Sequence, residues 1–438
     1  MKLGHGCAAG LMAAALAGCG AGSSAGNVAG DGGNRSADAG ASTASDAGAT
    51  ATAWSDRFPT ELRGAGPTLK APSVRPVFFA DEEAAKVSML TDFLSKLAGS
   101  AYWTAATSEY GAGALTAAAG VQLVESAPAA IDAVGLRAWL MDAIQLGKVT
   151  APTAGTIYAV YFPKGTVVTD KNGGISCRDY AAYHDEMSVG GQPVAFLAMP
   201  HCDSYAGHPL PFPDGPLGGD AFLTAGTSHE LVEAATDPAL RTDPAFGSID
   251  PAHLAWSKYL FASELSDNCG KQPGALHMDA AIGYVVQSTW SNAAAAAGRD
   301  PCVPSAAPYV GAFPRLSKIA PKTPGGGPGG GPNPGPGPGG AVFAVAIADG
   351  ATATVPVDLA SEDPQSAPWT VTPLDYAVLV GGAARVELSL DKPGGKNGDV
   401  LQLTIHVISH DVAGNAGFFL DSRLGAKGTR VPVLVVSP

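Results

Sequence analysis

Between Ser228 and Pro238 the chain reads Ser-His-Glu-Leu-Val-Glu-Ala-Ala-Thr-Asp-Pro. The pattern predicts the second half of a helix that starts near Ala221 and is stopped by Pro238. On such a helix His229 and Glu233 stand one above the other on one face, and Glu230 points away to the side. The spacing is that of the zinc helix H-E-x-x-H, with a carboxylate in place of the second histidine. In that motif positions one and five hold the metal, and the glutamate at position two is the general base. A carboxylate oxygen is an accepted zinc ligand. The expected ligands are therefore His229 and Glu233, the expected base is Glu230, and the expected ion is Zn2+. Ala225 and Gly226, one turn earlier, leave room for another segment or a ligand to come close. The plainer reading is a histidine and two glutamates on a solvated helix face.

Such a helix needs a scaffold, and the flanking sequence supplies one. Arg75 to Phe79 reads as a short strand. A helix over roughly 82–98 follows, with Val87, Leu90, Phe93, Leu94 and Leu97 forming one apolar stripe. A second amphipathic helix runs near Ala130 to Gln145. Tyr158 to Phe162, Val194 to Met199 and Tyr284 to Gln287 read as strands. This mixture predicts an α/β or α+β core over residues 73–320.

The 438 residues, 46% of them hydrophobic, allow two domains with full cores. The net charge of −13, with no basic block, argues against nucleic acid and anionic membrane surfaces as partners. Residues 1–19 read as an export signal, with Lys2 before a largely apolar run that ends in Leu16-Ala17-Gly18-Cys19. That ending resembles the bacterial lipobox, in which the cysteine is lipidated and becomes the first mature residue. Cys19 is thus the expected lipid attachment point, and the expected location is the bacterial cell envelope, anchored rather than spanning. Residues 20–72 read as a tether. Up to about residue 53 they carry almost no large apolar side chains.

Apart from Cys7 and Cys19 there are four cysteines, Cys177, Cys202, Cys269 and Cys302. An even number in an exported chain predicts two disulfides, and four cysteines allow three pairings. The nearest-neighbour choice is Cys177 with Cys202 and Cys269 with Cys302.

Residues 321–340 are dominated by Gly and Pro and read as a linker. Beyond it, Val386, Leu388 and Leu390 alternate with polar residues, as do Leu401, Leu403, Ile405 and Val407. The segment from Asp391 to Gly395 begins the turn between them. Residues 341–438 therefore read as an all-β sandwich, with His406 and His410 on its surface.

Several segments of the first domain fall in the order of a known family. They include Leu90-Thr91-Asp92-Phe93-Leu94, Tyr102-Trp103, Tyr158 through Pro163, Cys177-Arg178-Asp179 and Tyr183-His184. The Ser228–Glu233 helix with Thr236-Asp237-Pro238, then Glu264 through Cys269, Tyr284 through Gln287 and Trp290-Ser291-Asn292 complete the set. Over roughly residues 74–303 the chain resembles the secreted EXORDIUM, or phosphate-induced protein, family and its bacterial relatives. The resemblance implies a secreted domain whose helix looks like that of a metallopeptidase. Plant members usually have Asn where this chain has Asp237, which implies that Asp237 is not an essential ligand.

A catalytic zinc needs a third protein ligand. Glu264-Leu265-Ser266-Asp267 looks like the segment that supplies a ligand glutamate in thermolysin-like peptidases, with a spacing that differs by one residue. Glu264 is the expected third ligand, and Asp267 is expected behind it, orienting a ligand histidine. His184 is the alternative third ligand, or a donor to the transition-state oxyanion. Together these residues predict an exported zinc-dependent hydrolase acting on a protein or peptide. The competing reading is a non-enzymatic envelope lipoprotein with a structural metal site, binding a protein, a polysaccharide or another envelope component.

Overall fold

The apolar run Thr156–Phe162 is buried at every position, the mark of a strand covered on both faces. It forms the centre of a parallel sheet in the protein, whose computed structural model describes residues 56–305, 308–320 and 340–438. The lipobox with Cys19, most of the expected tether and nearly all of the Gly/Pro segment lie outside the described residues. Among the described residues, no helix is long and apolar enough to cross a membrane.

The chain order is β1 (Ser73–Phe78), α1 (Ala84–Leu97), α2 (Ala101–Thr107), β2 (Thr116–Ala117), β3 (Val121–Gln122), β4 (Ala130–Asp132) and α3 (Ala133–Gln145). Next come β5 (Thr156–Phe162), β6 (Val167–Thr169), β7 (Tyr183–Val189), β8 (Gln192–Pro200) and α4 (Gly219–Thr236). The main sheet has the order β2-β1-β5-β8-β7, with β3 also paired to β1. All of its pairs are parallel except that of β7 with β8. Gly190 and Gly191, both at positive φ, make the two-residue turn of that hairpin.

Alternate residues of β5 serve opposite faces. Ile157, Ala159 and Tyr161 pack with Leu90, Phe93, Leu94 and Leu97 of α1 and with Leu231, Val232 and Ala235 of α4. Tyr158, Val160 and Phe162 pack with Leu136 and Leu140 of α3. The first region is thus α/β, with helices on both sides of the sheet.

After α4 the chain makes α5 (Leu254–Tyr259), the short α6 (Asp267–Gly270), the hairpin of β9 (Leu276–Asp279) with β10 (Tyr284–Gln287), and the pair β11 (Thr289–Trp290) with β12 (Cys302–Val303). The disulfides join Cys177 to Cys202 and Cys269 to Cys302, with Cα separations of 5.4 and 5.7 Å.

The remaining strands are β13 (Val310–Pro314), β14 (Ser317–Ile319), β15 (Val342–Ala346), β16 (Thr352–Ser361), β17 (Trp369–Asp375), β18 (Val386–Leu390), β19 (Gly394–Gly395), β20 (Val400–Val407), β21 (Asn415–Leu424) and β22 (Lys427–Val436). They form one sheet ordered β13-β16-β20-β18 and another ordered β14-β15-β22-β21-β17-β19. Leu401, Leu403, Ile405 and Val407 of the first meet Val371, Phe418, Leu420, Val433 and Val435 of the second in one core. His410, expected on the surface, turns inward with a side chain 5% exposed against Asp349.

Two expected boundaries change. Strands β13 and β14 precede the Gly/Pro segment, yet they pair with β16 and β15. The sandwich therefore starts at Val310, and 321–340 falls inside it rather than before it. The sandwich also shares a core with the first region, in which Trp256, Tyr259 and Leu265 meet Phe313, Val342, Phe419 and Leu434.

The tether was expected to reach residue 72, but from residue 56 the chain is packed. Phe58 is 2% exposed and makes edge contacts with Trp256, Trp290, Tyr309 and Phe313 at centroid distances of 5.3 to 6.1 Å. Glu61 is buried, accepting from Ser248 N at 3.1 Å and from Asn268 Nδ2 at 2.9 Å. Phe58→Ala is expected to cost about 3–5 kcal/mol, the usual penalty for emptying an aromatic site. Urea unfolding at fixed m-value measures it, and a cost under about 1 kcal/mol would mean that this segment only rests on the surface.

Candidate metal centre

Helix α4 is buried on nearly every side. Gly226 lies against β8, where an added Cβ would sit 3.3 Å from the flexible tip of Met199. Ser228 Oγ accepts from Gln287 N at 3.0 Å and donates to Ala225 O at 2.8 Å, fixing α4 to β10. Asp237 N donates to Glu233 O at 2.6 Å, and its carboxylate accepts from Ala245 N at 2.8 Å. Asp237 thus shapes the loop after the helix, a structural role consistent with its exclusion as a ligand.

His184 comes from β7, a strand whose polar residues are buried for separate reasons. Asp185 faces away from the site and meets Arg137 and Arg241, each at 3.4 Å. His184, on the opposite face, points at α4. Its Nδ1 lies 3.3 Å from Glu230 Oε2 and 3.5 Å from Glu233 Oε2, and its Nε2 lies 3.4 Å from Glu264 Oε1.

Glu233 is the hub. Its Oε2 is 3.2 Å from His229 Nε2, and its Oε1 accepts from the backbone N–H groups of Ser266 and Asp267 at 3.1 and 3.2 Å. Those amides draw the start of α6 toward the helix. Ser266 Oγ adds a bond to His229 O at 3.1 Å. Asp267 Oδ1 then comes within 3.5 Å of His229 Nε2.

Two sets of donor atoms result, each lying within 4.8 Å of one another: His229, Glu233 and Asp267, and His184, Glu230 and Glu233. The expected residues are all brought together. Asp267, expected behind the ligands, faces His229 directly. Glu264, expected as the third ligand, lies on the far side of His184. The reason is the pair of backbone amides on Glu233 Oε1, a contact between distant segments that spacing alone does not reveal.

The donors suit a divalent cation. Histidine nitrogen and carboxylate oxygen are groups that zinc accepts at about 2.1 Å, which makes the edge of a tetrahedral site about 3.4 Å. The edges at His229 are 3.2 and 3.5 Å. His184 Nε2 and Glu264 Oε1 are buried and lack hydrogen-bond partners among the described residues. Four carboxylates converge on two histidines, so negative charge is in excess.

The titration of the metal-free cluster reflects that excess. Burial alone would lower both histidines, but carboxylates outweigh it, Glu264 foremost at His184 and Glu233 at His229, and both are held well above the ordinary range. Burial would raise Glu233, yet His229 and His184 hold it well below. Burial and then Glu233 push Asp267 up to about 6. Burial also raises Glu264, with Glu233 and Asp267 adding to the shift against the pull of His184.

The cluster opens on a cavity of about 360 Å³. Tyr180, Tyr205, Phe212, Phe222 and Phe261 contribute apolar walls. The Cys177–Cys202 bridge staples the wall around residues 179–185 to the loop that carries Tyr205 and Phe212.

No family model matches the chain, and no curated protein matches it. Among solved structures it is similar to domains 4 and 5 of the S-layer protein SbsC, at 16% identity over 28% of this chain and 46% of that one, with a TM-score of 0.17. It is also similar to SbsC domains 1–6, at 21% identity over 22% of this chain and 12% of that one, again with a TM-score of 0.17. The chain thus spans less than half of either.

Proposed function

We propose that the chain is an exported, lipid-anchored, metal-dependent hydrolase of the peptidase type, with zinc held by His229, Glu233 and Asp267. One observation carries this choice of ligands. A catalytic metal keeps a position open, whereas a structural one is closed. His229 and Asp267 have side chains 16% and 36% exposed beside the cavity. His184, Glu230 and Glu233 are between 3% and 7% exposed. The resemblance to the EXORDIUM family supports the reading through the helix itself.

Zinc, when bound, supplies a Lewis acid and a water of lowered pKa. Glu230 is the proton acceptor, with Oε1 3.9 Å from His229 Nε2 and at the cavity wall. It passes the proton to the leaving amine. His184 holds the other carboxylate oxygen of Glu230 and so positions the base, in place of the oxyanion role expected for it. Glu233 both holds the metal and fixes Asp267 through the two amides. The aromatic walls exclude water and accept apolar side chains of a peptide. Metal content of the purified chain, with hydrolysis of casein in the presence and absence of chelator, tests the proposal. A metal-free protein, or hydrolysis untouched by chelator, would sink it.

A second reading rests on the closed set His184, Glu230 and Glu233. If the ion sits there, it is structural, and the protein is a binding lipoprotein.

Export and anchoring are supported by the lipobox-like Leu16–Cys19 and by two disulfides suited to an oxidising compartment. Cys19→Ser is expected to move the protein from the membrane fraction to the soluble one. Continued membrane retention would refute the anchor.

A further inference from the structure

Lys271 caps α6 and follows Asp267 by four residues, so the two side chains leave the same face of one helical turn. Asp267 is committed elsewhere, to His229 and to Ser263 Oγ at 2.6 Å. The Lys271 ammonium is left with the Asp267 charge nearby but no contact to it. Its Nζ lies 4.1 Å from the centre of the Phe212 ring, and among the described residues no hydrogen bond or ion pair meets it. Both side chains line the cavity that holds the metal-ligand candidates. Lys171 lines it too but is exposed, whereas Lys271 is half-buried. Burial pushes Lys271 down to about 8, against the pull of the Asp267 charge.

A half-buried cation that feels the Asp267 charge but has no hydrogen bond or ion pair of its own can take a further anion. We propose that Lys271 is the anion-binding end of the cleft and that it takes a carboxylate of the bound peptide. The inference rests on the peptidase reading for the orientation of that peptide. Residues on adjacent turns of one face are about 6 Å apart. An extended peptide advances about 3.4 Å per residue. A carboxylate reaching Lys271 thus belongs within one or two residues of the bond at the metal. Two sources fit that chemistry, an acidic side chain and the C-terminal carboxylate. Elsewhere in the cavity the acidic cluster repels an anion, so the ammonium confers selectivity as well as affinity.

The test uses the full chain in a Glu230→Gln background, so that no probe is consumed. Calorimetric titrations compare acetyl-Ala-Phe-Glu-amide, acetyl-Ala-Phe-Gln-amide and acetyl-Ala-Phe-Gln with a free C-terminus, each with zinc and with chelator. We expect one carboxylate-bearing probe to bind roughly tenfold or more tighter than the uncharged amide. Whichever probe it is identifies the source. Lys271→Met should erase the preference, and Lys271→Arg should keep most of it, with circular dichroism confirming that both fold. Equal binding of all three probes, no binding, or a preference that survives in Lys271→Met would overturn the proposal. Zinc content is measured on the same samples. A carboxylate preference without zinc would leave this inference standing while refuting the metal reading, and zinc without the preference would do the reverse.

Discussion

The Glu230→Gln variant is expected to retain zinc at the wild-type level while hydrolysis falls roughly a hundredfold or more, the scale set by losing a general base. The amide keeps the shape of the side chain and can still meet His184, but it cannot take a proton. His229→Ala, Glu233→Ala and Asp267→Ala are expected to lose zinc, because each removes one donor of the open set. His184→Ala should keep zinc and lose activity, since it holds the base rather than the ion. The closed set predicts a different pattern, in which His184→Ala and Glu230→Gln lose the metal and Asp267→Ala retains it. Metal analysis of the five variants separates the two, and zinc retained in His229→Ala would defeat the first.

Stability without metal is expected to peak at mildly acidic pH and to fall toward pH 8, and zinc is expected to reverse that fall. Glu233 is held well below its ordinary 4.5, so its contribution is complete above that value and is lost as pH drops. The histidines are held well above their ordinary 6.5, so theirs is complete below that value and is lost as pH rises through the raised pKa values. Glu61 and Glu264 are raised by burial, and Asp267 sits at about 6, so ionising them also costs stability as pH climbs. Each proton involved contributes a slope of about 1.4 kcal/mol per pH unit. Zinc needs the histidines neutral and the carboxyls ionised, so its increment grows over the same range. At a thousandfold excess over its dissociation constant it adds about 4 kcal/mol. Thermal melts from pH 4 to 9, with chelator and with zinc, show the two curves. A metal-free midpoint that is flat or rising between roughly pH 5 and 8 would contradict this account of the cluster.

The parts legible in the sequence were those with a strong local period. Helix α4 is announced by the spacing of His229 and Glu233 and by Pro238, and β5 by its unbroken apolar run. Strand β7 carries no apolar signal, because three buried positions in a row are His184, Asp185 and Glu186. Only arginines from α3 and from the loop after α4 make Asp185 tolerable there. Asp267 is brought to face His229 by two backbone amides bonding to a side chain more than thirty residues away. No pattern in the segment itself encodes that bond. The packed stretch around Phe58 and Glu61 looked like tether because its partners, Trp256, Trp290 and Asn268, lie about two hundred residues downstream.

Strands β14 and β15, which flank residues 321–339 in the chain, pair antiparallel, so the sandwich takes strands from both sides of that segment. Its length has little influence on how far anything reaches. Doubling it would add only about 0.6 kcal/mol of closure entropy. A protease cutting there would also liberate nothing. The N-terminal fragment would still contribute β13 to one sheet and β14 to the other, and the C-terminal fragment would lack its natural edge without them. The nicked protein would migrate as one species until denatured. The two halves, expressed separately, would behave as a complementation pair whose reunion reports on whether the sandwich has closed.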